Sequence, residues 1–202
     1  MLKIIIGTKN PAKFGQVQGA LGPLELEIAK PDRDLPEVLE DGATIQDNAR
    51  KKALIYARHL NAKVLSMDNA LYLEGLPDDL QPGQNVRRIK GRTDRPSDEE
   101  VLEYYQDLIA RHGGEISGRW EYAICLANPD GSYQETTVSR NGIFKDRLSD
   151  QRTDGYPLES LNIDPLSGRY IADLDPLEKE VFWQTGIGVP LQKFIKQALG
   201  LD

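Results

Sequence analysis

The sequence predicts an α/β fold, because segments with the pattern of a strand alternate with segments that carry the apolar stripe of a helix. A β-branched run over 2–6 opens the chain, and a turn and a helix face follow it. A second strand is predicted over 24–30. A capped helix beginning near Thr44 then leads into a third strand over 63–67. Ligands in such folds bind at the carboxyl ends of the strands, so the residues there are the first candidates for a site.

The length and charge of the chain limit its organisation and its partners. A chain of 202 residues predicts one domain spanning 1–202. Hydrophobic residues make up 39%, which is enough for a core, and charged residues make up 28%, as in an ordinary soluble protein. The formal net charge of -7 argues against nonspecific binding to nucleic acid. It is compatible with a nucleotide held by a few local lysines.

The distribution of apolar residues and cysteine predicts a cytoplasmic protein. No run reaches the roughly 18 apolar residues of a membrane span. The N-terminal apolar run is only about four residues long, too short for a signal peptide. The single cysteine, Cys125, excludes an internal disulfide and a cysteine-based zinc cluster. We therefore expect no membrane partner.

The turn after the first strand is a candidate phosphate site. It contains Thr8 and Asn10, which can form hydrogen bonds, and Pro11 lies near the first position of the helix. The free N–H groups and dipole of a helix N-terminus attract phosphate, and Lys9 and Lys13 add positive charge. The spacing is not that of a Walker loop or a dinucleotide-binding loop. The turn therefore has two interpretations, a phosphate site and an ordinary capped helix.

Two acids frame the predicted helix that begins near Thr44. An acidic cluster that includes Glu40 precedes the helix, and Thr44 with Asp47 forms a variant of the capping box. The apolar run after the helix ends on Asp68, which places this acid at the carboxyl end of a core strand. Two such carboxylates are suited to holding a hard divalent cation. This stretch is the predicted centre of an active site.

The second half of the chain continues with helices and strands. The predicted elements are a helix over 98–112, strands over 118–127, 133–139 and 141–144, an irregular region over 145–168 and a closing helix over 189–199. A basic stretch precedes them in this otherwise acidic chain. It consists of Arg87, Arg88, Lys90, Arg92 and Arg95. This stretch is either a solvated face or a lid that brings positive charge to a phosphate.

Several separated motifs match those of one family. A T/S-x-N-x-x-K turn after the first strand is matched by Thr8, Asn10 and Lys13. An E-x-G-x-T-x-x-x-N-A-x-x-K-A helix start is matched by Glu40, Gly42, Thr44, Asn48, Ala49, Lys52 and Ala53. Asp68 corresponds to the second acid of the family's acidic motif, and further matches are Pro82-Gly83 with Arg88, Gly155-Tyr156 and Glu178-Lys179. In order and spacing the chain resembles a divergent member of the inosine triphosphate pyrophosphatases, which hydrolyse non-standard purine nucleoside triphosphates.

The resemblance implies a fold, an activity and a set of site residues. The fold is an elongated, twisted mixed β-sheet flanked by helices, with two lobes and a cleft between them, usually in a homodimer. The activity is Mg²⁺-dependent hydrolysis of a nucleoside triphosphate to the monophosphate and pyrophosphate. Glu40 and Asp68 would hold the metal, and Asp68 would orient or deprotonate the attacking water. The residues that would contact the substrate are Thr8, Asn10, Lys13, Lys52, Arg88, Tyr156, Lys179 and Gln184, of which Lys13 and Lys52 would also offset charge developing in the displacement.

The chain departs from the family at the acidic motif of the metal site and at the residues with which the family reads the base. The usual Asp-Asp/Glu-Ser/Thr-Gly motif is replaced by Met67-Asp68-Asn69-Ala70, so one acid is lost. Tyr156 keeps an aromatic ring that could stack on a base, but Pro157 replaces the acid that normally follows. The family's Ser-His-Arg is replaced by Trp183-Gln184-Thr185, in which Gln184 could bond a base edge.

Two classes of function are therefore open. The first is a nucleoside triphosphate pyrophosphatase that has altered specificity or reaches the non-standard purines ITP and XTP through different contacts. The second is a nucleotide-binding relative with little or no turnover. Because Glu40 and Asp68 both persist, we favour the enzyme.

Overall fold

The helices and strands assemble on one mixed sheet in a computed structural model that describes residues 1–89, 92, 94 and 96–201. The strands are β1 (Leu2–Ile6), β2 (Leu26–Ala29), β3 (Val64–Leu73), β4 (Glu115–Ala127), β5 (Tyr133–Lys145) and β6 (Asn162–Ile163). The helices are α1 (Pro11–Leu21), α2 (Ile45–Leu60), α3 (Asp98–Arg111), α4 (Pro176–Trp183) and α5 (Val189–Leu199). The sheet order is β2-β1-β3-β4-β5-β6, with β1 parallel to β2 and β3, and β5 antiparallel to β6. The α/β class predicted from the sequence is confirmed.

The chain divides into two units, each with its own hydrophobic core. The first unit contains residues 1–69, 121–139 and the described chain from 183 onward, and the second contains 70–120 and 140–182. Buried side chains of the first core include Ile4, Leu21, Leu65, Ile124, Leu191 and Ile195. Those of the second include Leu73, Leu102, Tyr105, Ile109, Phe144 and Leu161. The single domain predicted from the length of the chain stays a prediction.

The predicted cap at Thr44 is confirmed, and α2 and α3 carry further caps. The Thr44 hydroxyl accepts a hydrogen bond from the Asp47 N–H at 3.1 Å and so begins α2. Asn61 ends α2 in the left-handed conformation, with φ of 48°. Ser97 and Glu100 form a complete capping box at the start of α3. None of the described helices is both long enough and apolar enough to cross a membrane.

Three strands are longer than predicted, and one helix was missed. β4 begins at Glu115, before its predicted start at 118. β3 continues through Leu73, so Asp68 lies inside a strand and not at its end. β5 joins the two predicted strands into one, because Gly142 lets the backbone pass Asn162, whose Oδ1 would lie 2.6 Å from an added Cβ. The missed helix is α4, whose start carries reciprocal bonds between Asp175 and Glu178, each 2.9 Å long.

Candidate active site

The turn that leaves β1 runs very close to β3. The Gly7 N–H donates to the Leu65 carbonyl at 2.8 Å. A β-carbon at Gly7 would lie 2.4 Å from Ser66 Oγ and 2.8 Å from Tyr56 Cδ2, so only glycine fits. This close approach fixes where the chain turns into α1. It also brings the first turn of α1 to the part of β3 that follows the last β1 pair, Ile6 with Leu65.

Thr8 and Asn10 build the start of α1. Asn10 is the N-cap, and its Oδ1 accepts from the N–H groups of Ala12 at 2.9 Å and Lys13 at 3.4 Å. The Thr8 hydroxyl accepts from the Asn10 N–H at 3.1 Å. These bonds are those of an ordinary capped helix. The additional phosphate contact predicted for both residues stays a prediction.

Lys13 reaches from α1 to β3. Its Nζ donates to Oδ1 of Asn69 at 2.9 Å. Asn69 directly follows Asp68 in the strand, so the lysine of the first sequence motif is placed beside the residue next to the predicted catalytic acid. Asn69 was not among the site residues predicted from the sequence.

The loop that carries Glu40 and Asp41 is hydrogen-bonded to the first turn of α2. The Gly42 N–H donates to Oδ1 of Asn48 at 2.8 Å, and Asn48 is only 2% exposed. A β-carbon at Gly42 would lie 2.7 Å from the same oxygen. The Gly and Asn of the helix-start motif therefore have a structural reason, since together they hold the loop that carries Glu40.

Glu40 and Asp68 meet at one lysine. Lys52 Nζ donates to Glu40 Oε1 at 2.7 Å and to Asp68 Oδ1 at 3.3 Å. The Lys52 and Asp68 side chains are each 11% exposed, and that of Glu40 is 47% exposed. Burial raises the pKa of the neighbouring Tyr56, which keeps its hydroxyl protonated. The two predicted metal ligands and a predicted catalytic lysine thus form one cluster, referred to below as the Glu40–Lys52–Asp68 cluster.

The two carboxylates of this cluster are suited to Mg²⁺, and they are too few to enclose a structural metal ion such as zinc. Among the residues that the structure describes, no group of three or more His, Cys, Asp or Glu side chains could hold a metal ion. Mg²⁺ prefers hard oxygen ligands and is commonly bound through one or two carboxylates together with waters and substrate phosphates. A structural zinc site would require four protein ligands, usually cysteine and histidine. Glu40 and Asp68 therefore match the cation predicted from the sequence.

Lys179 lies in the second unit beside a buried acid. Its Nζ donates to the Thr153 hydroxyl at 3.2 Å and lies 3.5 Å from Oε2 of Glu159. Glu159 is 7% exposed, and burial raises the pKa of its carboxyl although Thr153 and Lys179 act in the opposite direction. The sequence analysis did not single out Glu159. Its only signal was an acid within the short helical turn Pro157–Ser160, which directly follows Tyr156.

Two arginines of the basic stretch form ion pairs with acids of the second unit. Arg87 pairs with Asp98, and Arg92 pairs with both Asp94 and Glu100. These pairs support the interpretation of a solvated face. Lys90 and Arg95 lie outside the described residues.

Arg88 lines a cavity in the second unit. The cavity has a volume of about 280 Å³, and Asn85, Tyr104 and Tyr105 also line it. The role of Arg88 in a lid over the substrate stays a prediction.

Gln184 forms hydrogen bonds with α1 and α5. It begins a single π-helical turn, Gln184–Gly188, between α4 and α5. Its Nε2 donates to the Gly19 carbonyl at 2.8 Å, and its Oε1 accepts from Gln192 Nε2 at 3.1 Å. The contact with a base edge that we predicted for Gln184 is untested, and these bonds give the side chain a structural role.

With the geometry established, the chain can be compared with known proteins. The family model of the Ham1 family matches residues 4–180, most of the chain. The chain belongs to the Ham1 family. The membership that the motifs predicted, among the inosine triphosphate pyrophosphatases, is confirmed.

Relatives of known name agree with this Ham1 assignment. A dITP/XTP pyrophosphatase of Exiguobacterium sp. is 31% identical over 191 residues, covering 92% of each chain. A dITP/XTP pyrophosphatase of Anaeromyxobacter sp. is 26% identical over 217 residues, again covering 92% of each chain. Among solved structures, a HAM1 protein from Coxiella burnetii has a TM-score of 0.79 at 21% identity, covering 98% of this chain and 100% of the other. The Ham1 protein of Staphylococcus aureus has a TM-score of 0.73 at 21% identity, covering 97% and 99%. At this identity the two structures support the fold alone.

Proposed function

We propose that this chain hydrolyses a nucleoside triphosphate to the nucleoside monophosphate and pyrophosphate, with Mg²⁺ as cofactor. The observation that carries the proposal is the Glu40–Lys52–Asp68 cluster, in which two carboxylates and an ammonium converge. Membership of the Ham1 family and the names of the relatives support the same reaction, which is also the one predicted from the sequence.

The reaction requires a base for water and positive charge for the phosphates. Asp68 accepts a proton from the attacking water as the water oxygen bonds to the α-phosphorus. The bond from this phosphorus to the bridging oxygen breaks, and pyrophosphate leaves with the bonding electrons. Lys52 holds Asp68 through Oδ1 and thereby orients the carboxylate. Lys13, Lys52 and the turn of Thr8 and Asn10 hold the triphosphate and offset its developing charge, and the positive dipole end of α1 adds to this attraction. Mg²⁺ held by Glu40 and Asp68 would supply further electrostatic stabilisation of the phosphate oxygens.

Two base preferences are proposed as alternatives. The relatives are named for dITP and XTP, which favours the non-standard purines ITP and XTP as substrates. The replacements at Pro157 and at Trp183-Gln184-Thr185 favour a shifted or broadened preference. Tyr156 and Lys179 are the proposed contacts from the second unit, and Arg88 is the proposed lid residue.

We further propose that the protein works as a homodimer in the cytoplasm and binds neither nucleic acid nor membranes. The family resemblance supports the dimer, and the net charge of -7 supports the absence of a nucleic-acid partner. Light scattering coupled to size-exclusion chromatography at several protein concentrations measures the oligomeric state.

The first test is pyrophosphate release from a panel of nucleotides. The panel contains the standard ribo- and deoxyribonucleoside triphosphates with ITP and XTP, each with and without Mg²⁺. We expect Mg²⁺-dependent release from at least one nucleotide. Preference for ITP or XTP would identify a base pocket rebuilt for the same substrates, and another preferred nucleotide would identify altered specificity. Nucleotide binding without release at any Mg²⁺ concentration would contradict the proposal in favour of the binding protein.

Asp68→Asn tests the assigned base. We expect the variant to fold and to bind nucleotide but to lose turnover by about 10²- to 10⁴-fold, because an amide cannot accept the proton. Asp41→Asn is the matched control, since Asp41 lies on the same acidic loop and pairs with Lys51 at the surface. Wild-type turnover in Asp68→Asn would contradict the role of Asp68. Circular dichroism and nucleotide titration establish that both variants are folded and bind.

A further inference from the structure

Two consecutive residues of β3 each contact a lysine from a different helix. Asp68 Oδ1 accepts from Lys52 of α2 at 3.3 Å. Asn69 Oδ1 accepts from Lys13 of α1 at 2.9 Å. Successive side chains of a strand point to opposite faces of the sheet. The two lysines therefore approach β3 from opposite faces.

The topology explains why one lysine comes to each face. β1 lies between β2 and β3 and is parallel to both. The crossover through α1 moves outward from β1 to β2, and the crossover through α2 moves back across β1 to β3. Because both crossovers are expected to be right-handed, the two helices cover opposite faces of the sheet. The pair of contacts thus follows from the chain path.

The two acceptors differ in charge. The Asp68 carboxylate balances the positive charge of Lys52. Asn69 is neutral, so its bond to Lys13 orients the ammonium and itself adds no negative charge beside it. Lys13 lies in the first turn of α1, an 11-residue helix whose positive dipole end also favours an anion.

We propose that Asn69 is a positioning residue for the triphosphate group, because it holds Lys13 beside the start of α1 through a neutral acceptor. This inference rests on the proposed function, in which Lys13 binds the substrate phosphates. The chemistry recognised is a chain of phosphates, whatever base it carries. In the sequence, Asn69 stands out only as part of a departure from the family motif.

Two substitutions separate positioning by a neutral acceptor from a purely structural role. Asn69→Asp keeps the size of the side chain and its bond to Lys13 but adds a negative charge that pairs with the ammonium. Asn69→Ala removes the bond and adds no charge. If the role of Asn69 is purely structural, Asn69→Ala should weaken phosphate binding more than Asn69→Asp. If Asn69 positions Lys13 for phosphate, Asn69→Asp should weaken phosphate binding more than Asn69→Ala.

Asn128→Asp is the matched control. Asn128 Oδ1 accepts from Lys63 Nζ, so the chain contains a second Lys–Asn bond of the same kind within the same unit. Lys63 directly precedes β3 and Asn128 directly follows β4, away from Asp68 along β3. A general effect of converting a lysine-bound amide to a carboxylate would appear in this variant as well.

The measurement is the affinity of each folded protein for inorganic tripolyphosphate, by calorimetry in EDTA so that a metal ion cannot bridge to the new carboxylate. We expect Asn69→Asp to weaken binding about tenfold and Asn69→Ala about threefold, with Asn128→Asp unchanged. In turnover assays with Mg²⁺, Asn69→Asp is expected to raise KM more than it lowers kcat. Thermal unfolding of each variant shows whether the fold is kept.

The order of affinities decides the proposal. Binding by Asn69→Asp that equals the wild type, or exceeds that of Asn69→Ala, would overturn it, as would a wild-type protein that does not bind tripolyphosphate. Because this binding is measured without turnover, failure of the positioning role is distinct from failure of the proposed function. The latter would show as wild-type protein that releases no pyrophosphate from any nucleotide.

Discussion

The Lys52 side chain shows how a single residue can organise a site. An ammonium that is largely removed from water is stable only with anionic partners, and Lys52 has two, Glu40 and Asp68. The shared ammonium offsets the repulsion between the two carboxylates in the folded chain. Bringing the two proposed metal ligands together therefore destabilises the fold less than it would without Lys52.

Glu159 is a buried acid whose raised pKa makes the stability of the fold depend on pH. Burial raises the pKa of its carboxyl above the ordinary value of 4.5, so the folded state binds this proton more tightly than the unfolded state. The stabilisation from this group is fully present below about pH 4.5 and is lost as the pH rises through the folded pKa. We expect the free energy of unfolding of wild type, minus that of Glu159→Gln, to decrease as the pH increases from 4 towards neutrality, as measured by urea unfolding.

The control for the Glu159 experiment is Glu103→Gln, which removes the same charge from an exposed position of α3. Its difference from wild type is expected to vary less over the same pH range. A difference for Glu159→Gln that grows with pH would contradict the assignment, because it would mean that the folded state favours the ionised carboxylate.

At the level of elements, a glycine in α1 has room for a side chain, whereas a glycine in the turn before α1 has none. Gly15 is exposed in α1, and an added β-carbon there meets no atom within 4 Å. Gly7 has no room at all, because Ser66, Tyr56 and Val64 surround the position that a β-carbon would occupy. The first glycine only lowers helix propensity, whereas the second permits the approach of β1 to β3.

Replacing these two glycines by alanine is expected to change stability in opposite directions. Gly15→Ala should raise the free energy of unfolding by about 1 kcal/mol through helix propensity. Gly7→Ala should lower it by about 2 kcal/mol through overpacking, and should also lower turnover because the turn that carries Asn10 is displaced. Urea unfolding followed by circular dichroism measures both. Equal free energies of unfolding for the two variants would contradict the prediction, because they would mean that β1 and β3 can move apart at Gly7 without loss of stability.

At the level of the whole molecule, each of the two units buries its own apolar side chains. Cys125 lies in the first unit on β4 and is fully buried, and burial raises the pKa of its thiol to about 12. A thiol that is both protonated and inaccessible does not react with a thiol reagent. The chain contains only this cysteine, so labelling reports on a single site.

We expect Cys125 to react only when the first unit unfolds. At pH 8 the native protein should resist an aromatic disulfide reagent, and one thiol per chain should react in strong denaturant. Labelling through a urea series should follow the loss of secondary structure in this unit. Rapid stoichiometric labelling of native protein would contradict the burial of β4.

Local sequence patterns were reliable where a few neighbouring residues decide the structure. The cap at Thr44 and the bounds of α5 follow from side chains bonding the adjacent backbone and from the apolar stripe, and both were predicted. α4 was missed although Asp175 and Glu178 carry a cap signal, because the helix has no buried residue and therefore no clear apolar stripe.

The α/β class and the family could be predicted from the sequence, and Glu40 and Asp68 could be proposed as site acids, because periodicity and motif spacing are properties of the chain order. Which residues contact one another depends on the tertiary structure. Lys52 bridges two acids that are separated from it by 12 and 16 residues, and Lys13 contacts Asn69 across a separation of 56. Spacing along the chain cannot specify such contacts, because they depend on the helices lying on opposite faces of β3 and on β3 extending beyond the end of β1.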